Sequence, residues 1–442
     1  MTFQPELPHQ AAFNERLLEF LRGSPTPFHA VAEMARTLVA AGFQYLGDGD
    51  AWKLEAGGRY FTTRNGSSII AFVKGREDAV AQGMRLAGAH TDSPCLMVKP
   101  RPELAGRGYC RLGVEVYGGA LLNPWFDRDL SIAGRIVYRA AGGQLAHKLI
   151  DFGAPVAVIP SLAIHLDRQA NDGRSINPQT DIQPIFHLEG EGRDVDFRRC
   201  LARRFAADEG AEILDYDLYL YDTQAPALVG LYRDFIASAR LDNLLSCFVG
   251  LEAIAAASGD QTCVLVCNDH EEVGSTSASG AQGPMLASVL AQLEPDPGRL
   301  ARALSRSLLV STDNAHALHP NYPNKHDDNH GPLINRGPVI KVNARQRYAT
   351  NSLTSSLFRQ MAEEVGVPLQ TFVARNDMPC GSTIGPITAA EVGVPTLDVG
   401  VPTFAMHSIR ELAGCADGHS LMLVLAHLFN RSGAPVVADS VL

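Results

Sequence analysis

The chain has 442 residues, 46% apolar and 19% charged, with a formal net charge of −10. This is the composition of a soluble globular protein able to bury large cores, and at roughly 100–200 residues per domain the length predicts two or three domains. The acidic balance argues against non-specific nucleic-acid binding, which needs a basic surface. No run of about 18 apolar residues predicts a membrane span.

The start, Met1-Thr2-Phe3-Gln4-Pro5-Glu6, lacks a basic segment followed by an apolar one, so no secretory signal is expected. Residues 10–42 carry apolar positions at helical spacing and predict two helices, broken at Gly23-Ser24-Pro25-Thr26-Pro27. Ser67–Val73 and residues 85–90 read as strands. Between about 95 and 235 the pattern changes. Val114-Glu115-Val116-Tyr117 alternates, Leu130–Tyr138 is strand-like, and Gly118-Gly119, Gly142-Gly143 and Gly153-Ala154-Pro155 supply turns. Asp172–Pro178 reads as an exposed loop. From Leu241 an α/β pattern returns, with Leu244, Leu245, Phe248, Val249, Leu251 and Ala255 on one helix face and Gly259 beyond its end. The eight cysteines include no Cys-x-x-Cys pair and read as reduced thiols in a cytoplasmic protein. Cys263 and Cys267, on one face of a strand, are expected as small buried hydrophobes.

Candidate ligands gather at the ends of apolar runs. His90 ends Leu86–Ala89. Glu271 and Glu272 follow Val264-Leu265-Val266 in Asp269-His270-Glu271-Glu272-Val273-Gly274. Asp313 ends Leu308–Thr312, His407 follows Thr396–Val399, and Asp242 precedes the long helical pattern. In open α/β sheets, sites collect outside the carboxyl ends of the strands, so one sheet could bring these residues together. Adjacent carboxylates repel, and a metal offsets that cost if one ligates it while the other holds the proton of an activated water. Two histidines and three carboxylates suit zinc, with cobalt or manganese as substitutes. With Asp242 bridging two divalent ions, four positive charges face three negative ones, which favours a nucleophilic water at neutral pH. Glu271 would take its proton, and Asp92, two residues after His90, would orient that imidazole.

The segments His90–Pro94, Arg240–Asn243, Asp269–Ser275, Asp313–Ala317, Gly337–Asn343, Arg375–Gly381 and Met406–Glu411 resemble, in order, the aspartyl aminopeptidase family of dinuclear zinc metallopeptidases. The resemblance runs from about residue 15 to about 430. It implies that His90, Asp242 and Asp313 hold one zinc and that Asp242, Glu272 and His407 hold the other. Glu271 becomes general base and then general acid, with Asp92 orienting His90. His316, Lys341 and Met406 fall at substrate-pocket positions, and His165 matches a histidine that reaches a neighbouring subunit's active site. Asn314 stands where the family pattern has Met, at a non-ligand position. Lys341 lies between Val339, Ile340 and Val342 with no acidic residue in 337–346, so a substrate carboxylate is its expected partner.

The expected fold class is α/β: a catalytic domain with a central mixed sheet flanked by helices, made of residues 1–93 and 236–442. An inserted β-rich domain, 94–235, interrupts it. The resemblance makes that insert an oligomerisation domain and the assembly a homo-oligomeric dodecamer. The expected activity is hydrolysis of N-terminal Asp or Glu from peptide substrates, with two Zn2+ per subunit. A two-zinc carboxypeptidase or deacylase, or a non-catalytic metal-binding scaffold, are the alternatives. His9, His29, His147, His187 and His419 are expected in no metal role, and His326 and His330 in a solvated loop.

Overall fold

The computed structural model describes residues 8–140, 142–190, 196–205 and 211–436. The start Met1–Glu6, on which the expectation of no secretory signal rests, lies outside them. The described chain forms two compact units. One takes the residues up to Asp92, Pro226–Met406 and those from Glu411 on; the other takes Ser93–Ala225 and His407–Arg410.

The first unit is built on a nine-stranded mixed sheet. Its order is Gln44–Tyr45, Arg59–Arg64, Ser68–Val73, Cys263–Asn268, Arg85–His90, Leu308–Thr312, Thr396–Gly400, Val339–Val342 and Gln370–Val373. The four strands from Cys263 to Gly400 in that order run parallel to one another. Every residue in those four is buried. This is the behaviour of parallel strands covered on both faces, and it explains why they read as continuous apolar runs. Alternate side chains go to opposite faces. Cys263, Leu265, Cys267, Ala87, Ala89 and Val310 pack with the helices Pro8–Gly23, Pro27–Ala40, Leu241–Ala255 and Asp417–Asn430. Val264, Val266, Leu86 and Leu309 pack with Met285–Leu293 and Pro297–Ser305. Cys263 and Cys267 are free and buried, as expected, and no disulfide joins the described cysteines.

The break between the first two helices is a cap. The Thr26 side chain accepts from the His29 backbone N–H, and Pro27 opens the second helix with its φ already set. A smaller five-stranded sheet, ordered Ala227–Val229, Phe235–Ser238, Glu411–Gly414, Pro402–Phe404 and Ala315–His316, belongs to the same unit. Because Ala227–Val229 pairs with Phe235–Ser238, and that strand with Glu411–Gly414, the chain returns to the first unit at Pro226 rather than at the expected 236.

The second unit is a six-stranded antiparallel sheet, ordered Leu145–Asp151, Leu130–Arg139, Glu212–Asp222, Cys95–Gly106, Tyr109–Tyr117 and Ile185–Leu188. Leu96, Val98, Leu112, Ile132, Leu218 and Leu220 form its core with Phe197 and Leu201 of the helix Phe197–Phe205. Residues 172–178 are not wholly loop, since Ala170–Gly173 makes one helical turn. Among the described residues, no helix is long and apolar enough to cross a membrane.

Candidate metal centre

Three neighbouring parallel strands deliver the site at their carboxyl ends. Arg85–His90 ends on His90, Leu308–Thr312 is followed by Asp313, and Cys263–Asn268 leads into the short 3-10 turn Glu271–Val273. Asp242 enters from the start of Leu241–Ala255, where its backbone and that of Asn243 depart from helical angles. The Glu411 carboxylate accepts the Asp242 backbone N–H at 2.9 Å, and the Asn243 amide donates to the Thr312 carbonyl at 2.8 Å, tying this turn to the strand that carries Asp313.

The distances define one buried cluster. His90 Nε2 lies 3.4 Å from Asp242 Oδ1, 3.6 Å from Asp313 Oδ1 and 3.9 Å from Glu271 Oε2. Potential ligand atoms of His90, Asp242 and Asp313 all lie within 4.8 Å of one another, as do those of His90, Glu271 and Glu272. His90 Nδ1 is 3.0 Å from the Asp92 backbone carbonyl. A carbonyl only accepts, so Nδ1 carries a proton, and Nε2, which faces the carboxylates, is the atom left to bind a cation once its own proton is displaced. The expected orientation of His90 by Asp92 therefore runs chiefly through the Asp92 backbone, with its carboxylate at 3.4 Å. That carboxylate instead accepts the backbone N–H groups of Glu271 and Glu272, each at 3.1 Å. One residue thus holds His90 and both glutamates.

The electrostatics call for a cation. Burial pushes Glu271 up to about 7; the His90 charge opposes this, and the Asp313, Asp242 and Asp92 carboxylates add to it. Burial likewise raises Glu272 well above the usual carboxylate range, with Asp242 adding to it. Burial would lower His90, but hydrogen bonds to Asp242, Asp313 and Asp92 outweigh it and raise the imidazole. Buried carboxylates around one imidazole are a nitrogen–oxygen donor set short of positive charge, and a zinc ion fits that set.

His316 and Met406 line a cavity of about 290 Å³, and the Asp242 and Asp313 charges bear on His316. Burial is the largest effect on this ring, the Lys341 charge adds to it and the two carboxylates oppose it, so the ring titrates lower than usual. His319, Lys325, His326 and Arg375 also line the cavity; no carboxylate does, and Arg375 is paired with Asp377 outside the lining, at 2.9 and 2.6 Å. His326 is thus part of a cavity wall rather than a purely solvated loop, and its Nε2 accepts the His319 N–H at 3.2 Å. Local sequence shows nothing of this wall, because its segments meet only in three dimensions.

Lys341 has protein partners that residues 337–346 do not supply. It does not line the cavity, and its Nζ is already paired, 3.1 Å from Asp313 Oδ2 and 3.2 Å from the Asn314 carbonyl. Among the described residues, the partners that offset its burial come from the neighbouring segment that carries Asp313. His407 lies in the short return segment of the second unit, where its Nδ1 is 3.2 Å from the Gly119 carbonyl. By the same argument its Nε2 is the atom left to bind a cation. His165 stands exposed in the second unit among exposed Leu162, Ile164 and Leu166.

Comparison with known proteins identifies the family of the chain. Residues 20–429 match the family model described as aminopeptidase I zinc metalloprotease (M18). A "Probable M18 family aminopeptidase 2" of Pseudomonas aeruginosa is 57% identical over 429 residues, covering 96% of this chain and all of that protein. The solved complex of Ape4 with Nbr1 contains a similar chain at 37% identity and a TM-score of 0.91, covering 97% of this chain and 87% of that one. The mApe1 dodecamer of S. cerevisiae is similar at 28% identity and a TM-score of 0.85, with 96% and 97% coverage.

Proposed function

We propose that this chain, which belongs to the M18 family of zinc aminopeptidases, is a two-zinc enzyme that removes acidic residues from the N termini of peptides. The observation that carries the reading is the buried cluster of His90, Asp242, Asp313, Glu271 and Glu272 in the same unit as a cavity with a cationic, carboxylate-free lining. In this reading His90, Asp242 and Asp313 hold one zinc, and Asp242, Glu272 and His407 hold the other. Bound zinc supplies Lewis-acid polarisation of the scissile carbonyl and lowers the pKa of water.

The protein's own groups do the rest. Glu271 takes the proton of the attacking water and passes it to the leaving amine. Asp92 keeps Glu271 and Glu272 in register through their backbone N–H groups. The acidic cluster receives the substrate's α-ammonium, while the cavity lined by His316, Lys325, Arg375 and Met406 receives its side chain. A charge-assisted hydrogen bond there is worth roughly 1.5–3 kcal/mol, or about a 10- to 150-fold preference for Asp or Glu over a neutral residue of similar size. A panel of fluorogenic aminoacyl substrates, run before and after chelation and zinc add-back, tests both parts. Activity indifferent to chelation removes the zinc reading; preference for Leu or Ala removes only the acidic one.

We propose further that the chain works as a cytoplasmic homo-oligomer, a dodecamer like that solved for S. cerevisiae mApe1, and that His165 acts in a neighbouring subunit's site. Its position among exposed apolar side chains supports this, since such a patch is normally covered by a partner. Mixed oligomers of a His165→Ala chain and a Glu271→Gln chain, each inactive alone, are expected to regain activity. Absence of recovery after verified co-assembly would place His165 in its own subunit or in packing alone.

A further inference from the structure

We infer that Asn243 and Cys247 are positioning residues of the metal centre: from the helix that delivers Asp242 they hold on to the two strands that deliver Asp313 and His90, and so fix the spacing of these three ligands. The inference rests on the two-zinc reading above.

Of the residues assigned to the first ion, Asp242 alone comes from a helix. His90 ends Arg85–His90, Asp313 follows Leu308–Thr312, and these two strands are paired neighbours. Pairing fixes His90 and Asp313 against each other. Asp242 stands at the start of Leu241–Ala255, so its distance from both depends on how that helix is seated on the sheet.

Two side chains of the helix decide the seat. The Asn243 amide donates to the Thr312 carbonyl at 2.8 Å. The Cys247 thiol, about one helical turn further on, donates to the His90 carbonyl at 3.0 Å. The helix is thus tied once to each ligand-bearing strand, at the last residue of each. Asn243 and Cys247 are both 0% exposed. A backbone carbonyl only accepts, so the amide and the thiol must be the donors. From another side the Glu411 carboxylate accepts the Asp242 N–H.

Core packing alone would not give this precision. Leu244, Leu245, Phe248 and Leu251 bury the helix in the large core. Apolar burial is non-directional, so it holds a helix against a sheet without fixing its place along its own axis. A hydrogen bond has a set length and direction, and two of them at successive turns define a register. A metal site needs its ligands held to within about 0.5 Å, and outer partners that orient them supply this.

The test sets zinc affinity, by chelator competition, beside the thermal stability of the zinc-free protein. It compares wild type with Asn243→Ala, Cys247→Ala, Cys247→Ser and Ser246→Ala. Ser246 is the control: it is equally buried on the same helix, and its hydroxyl has no hydrogen-bond partner among the described residues. Loss of an outer partner typically weakens metal binding about 10- to 100-fold. Asn243→Ala is expected to lose that much at both ions, because Asp242 serves both. Cys247→Ala should lose about tenfold, since a thiol is a weak donor, and Cys247→Ser, which keeps an O–H, should regain part of it. Ser246→Ala should bind zinc as wild type does. Wild-type zinc affinity in Asn243→Ala or in Cys247→Ala, whatever the thermal stability, would make the contact merely structural and overturn the inference. So would a loss in Ser246→Ala equal to that in Asn243→Ala. Should Asn243→Ala not fold, the Cys247 pair decides: weaker binding in the Ala variant with recovery in the Ser variant supports the assignment, and any other order overturns it. Wild type that holds no zinc tightly would defeat the two-zinc reading itself, an outcome distinct from tight wild-type binding with unaffected variants.

Discussion

Glu271→Gln is expected to keep its zinc and lose about 100- to 10,000-fold in kcat, the usual contribution of a general acid–base group. The amide is nearly isosteric and can still fill the space beside His90, but it cannot accept the proton of water. Its backbone N–H, the group that Asp92 holds, is untouched by the substitution. Burial, with the neighbouring carboxylates adding to it, pushes Glu271 up to about 7, and zinc bound beside it would pull it lower by favouring the carboxylate. A base must be deprotonated to act, so wild-type kcat/KM should fall as the pH drops through a midpoint at or below about 7. The Gln variant should lack that limb. Zinc content measured beside the rate separates the two effects. Near-normal turnover with full zinc would take Glu271 out of the mechanism.

Asp242→Ala is expected to leave almost no tightly held zinc and no measurable activity. Its carboxylate belongs to the group formed with His90 and Asp313, and the proposed second ion uses it as well. Removing a bridge costs both ions, whereas His407→Ala should weaken chiefly one. Metal analysis after gel filtration, with wild type and His407→Ala in parallel, reads this directly. Two zinc ions per chain in the Asp242→Ala protein would defeat the bridging assignment. The chain should still fold, because the apolar face of Leu241–Ala255 packs in the large core independently of Asp242.

Much of this protein was legible in its sequence for a simple reason. Fully buried parallel strands are continuous apolar runs, and in such sheets a polar residue directly after the run stands at the carboxyl edge where sites form. His90 and Asp313 could be picked out that way, with Glu271 and Glu272 in the turn a few residues beyond their strand, and the structure gathers all four with Asp242. The two opening helices were legible because a Pro at the first helical position after a Thr cap is a local signal. The return to the first unit was misplaced because Phe235–Ser238 takes its place from pairing with Glu411–Gly414, far along the chain.

What only the tertiary structure decided is who holds whom. The Asp92 carboxylate reaches two backbone N–H groups nearly 180 positions away, and Glu411 reaches the N–H of Asp242. Lys341 finds Asp313, which lies outside its own segment. Cations and apolar side chains from separate segments close one cavity. Strand ends and helix caps are set by neighbours in the chain, so the amino-acid order by itself determined the sheet, the ligand types and the chemistry they suit. Hydrogen-bond partners of buried charged groups are chosen by desolvation, which acts on whatever the fold brings within about 3 Å, and sequence distance carries no information about that.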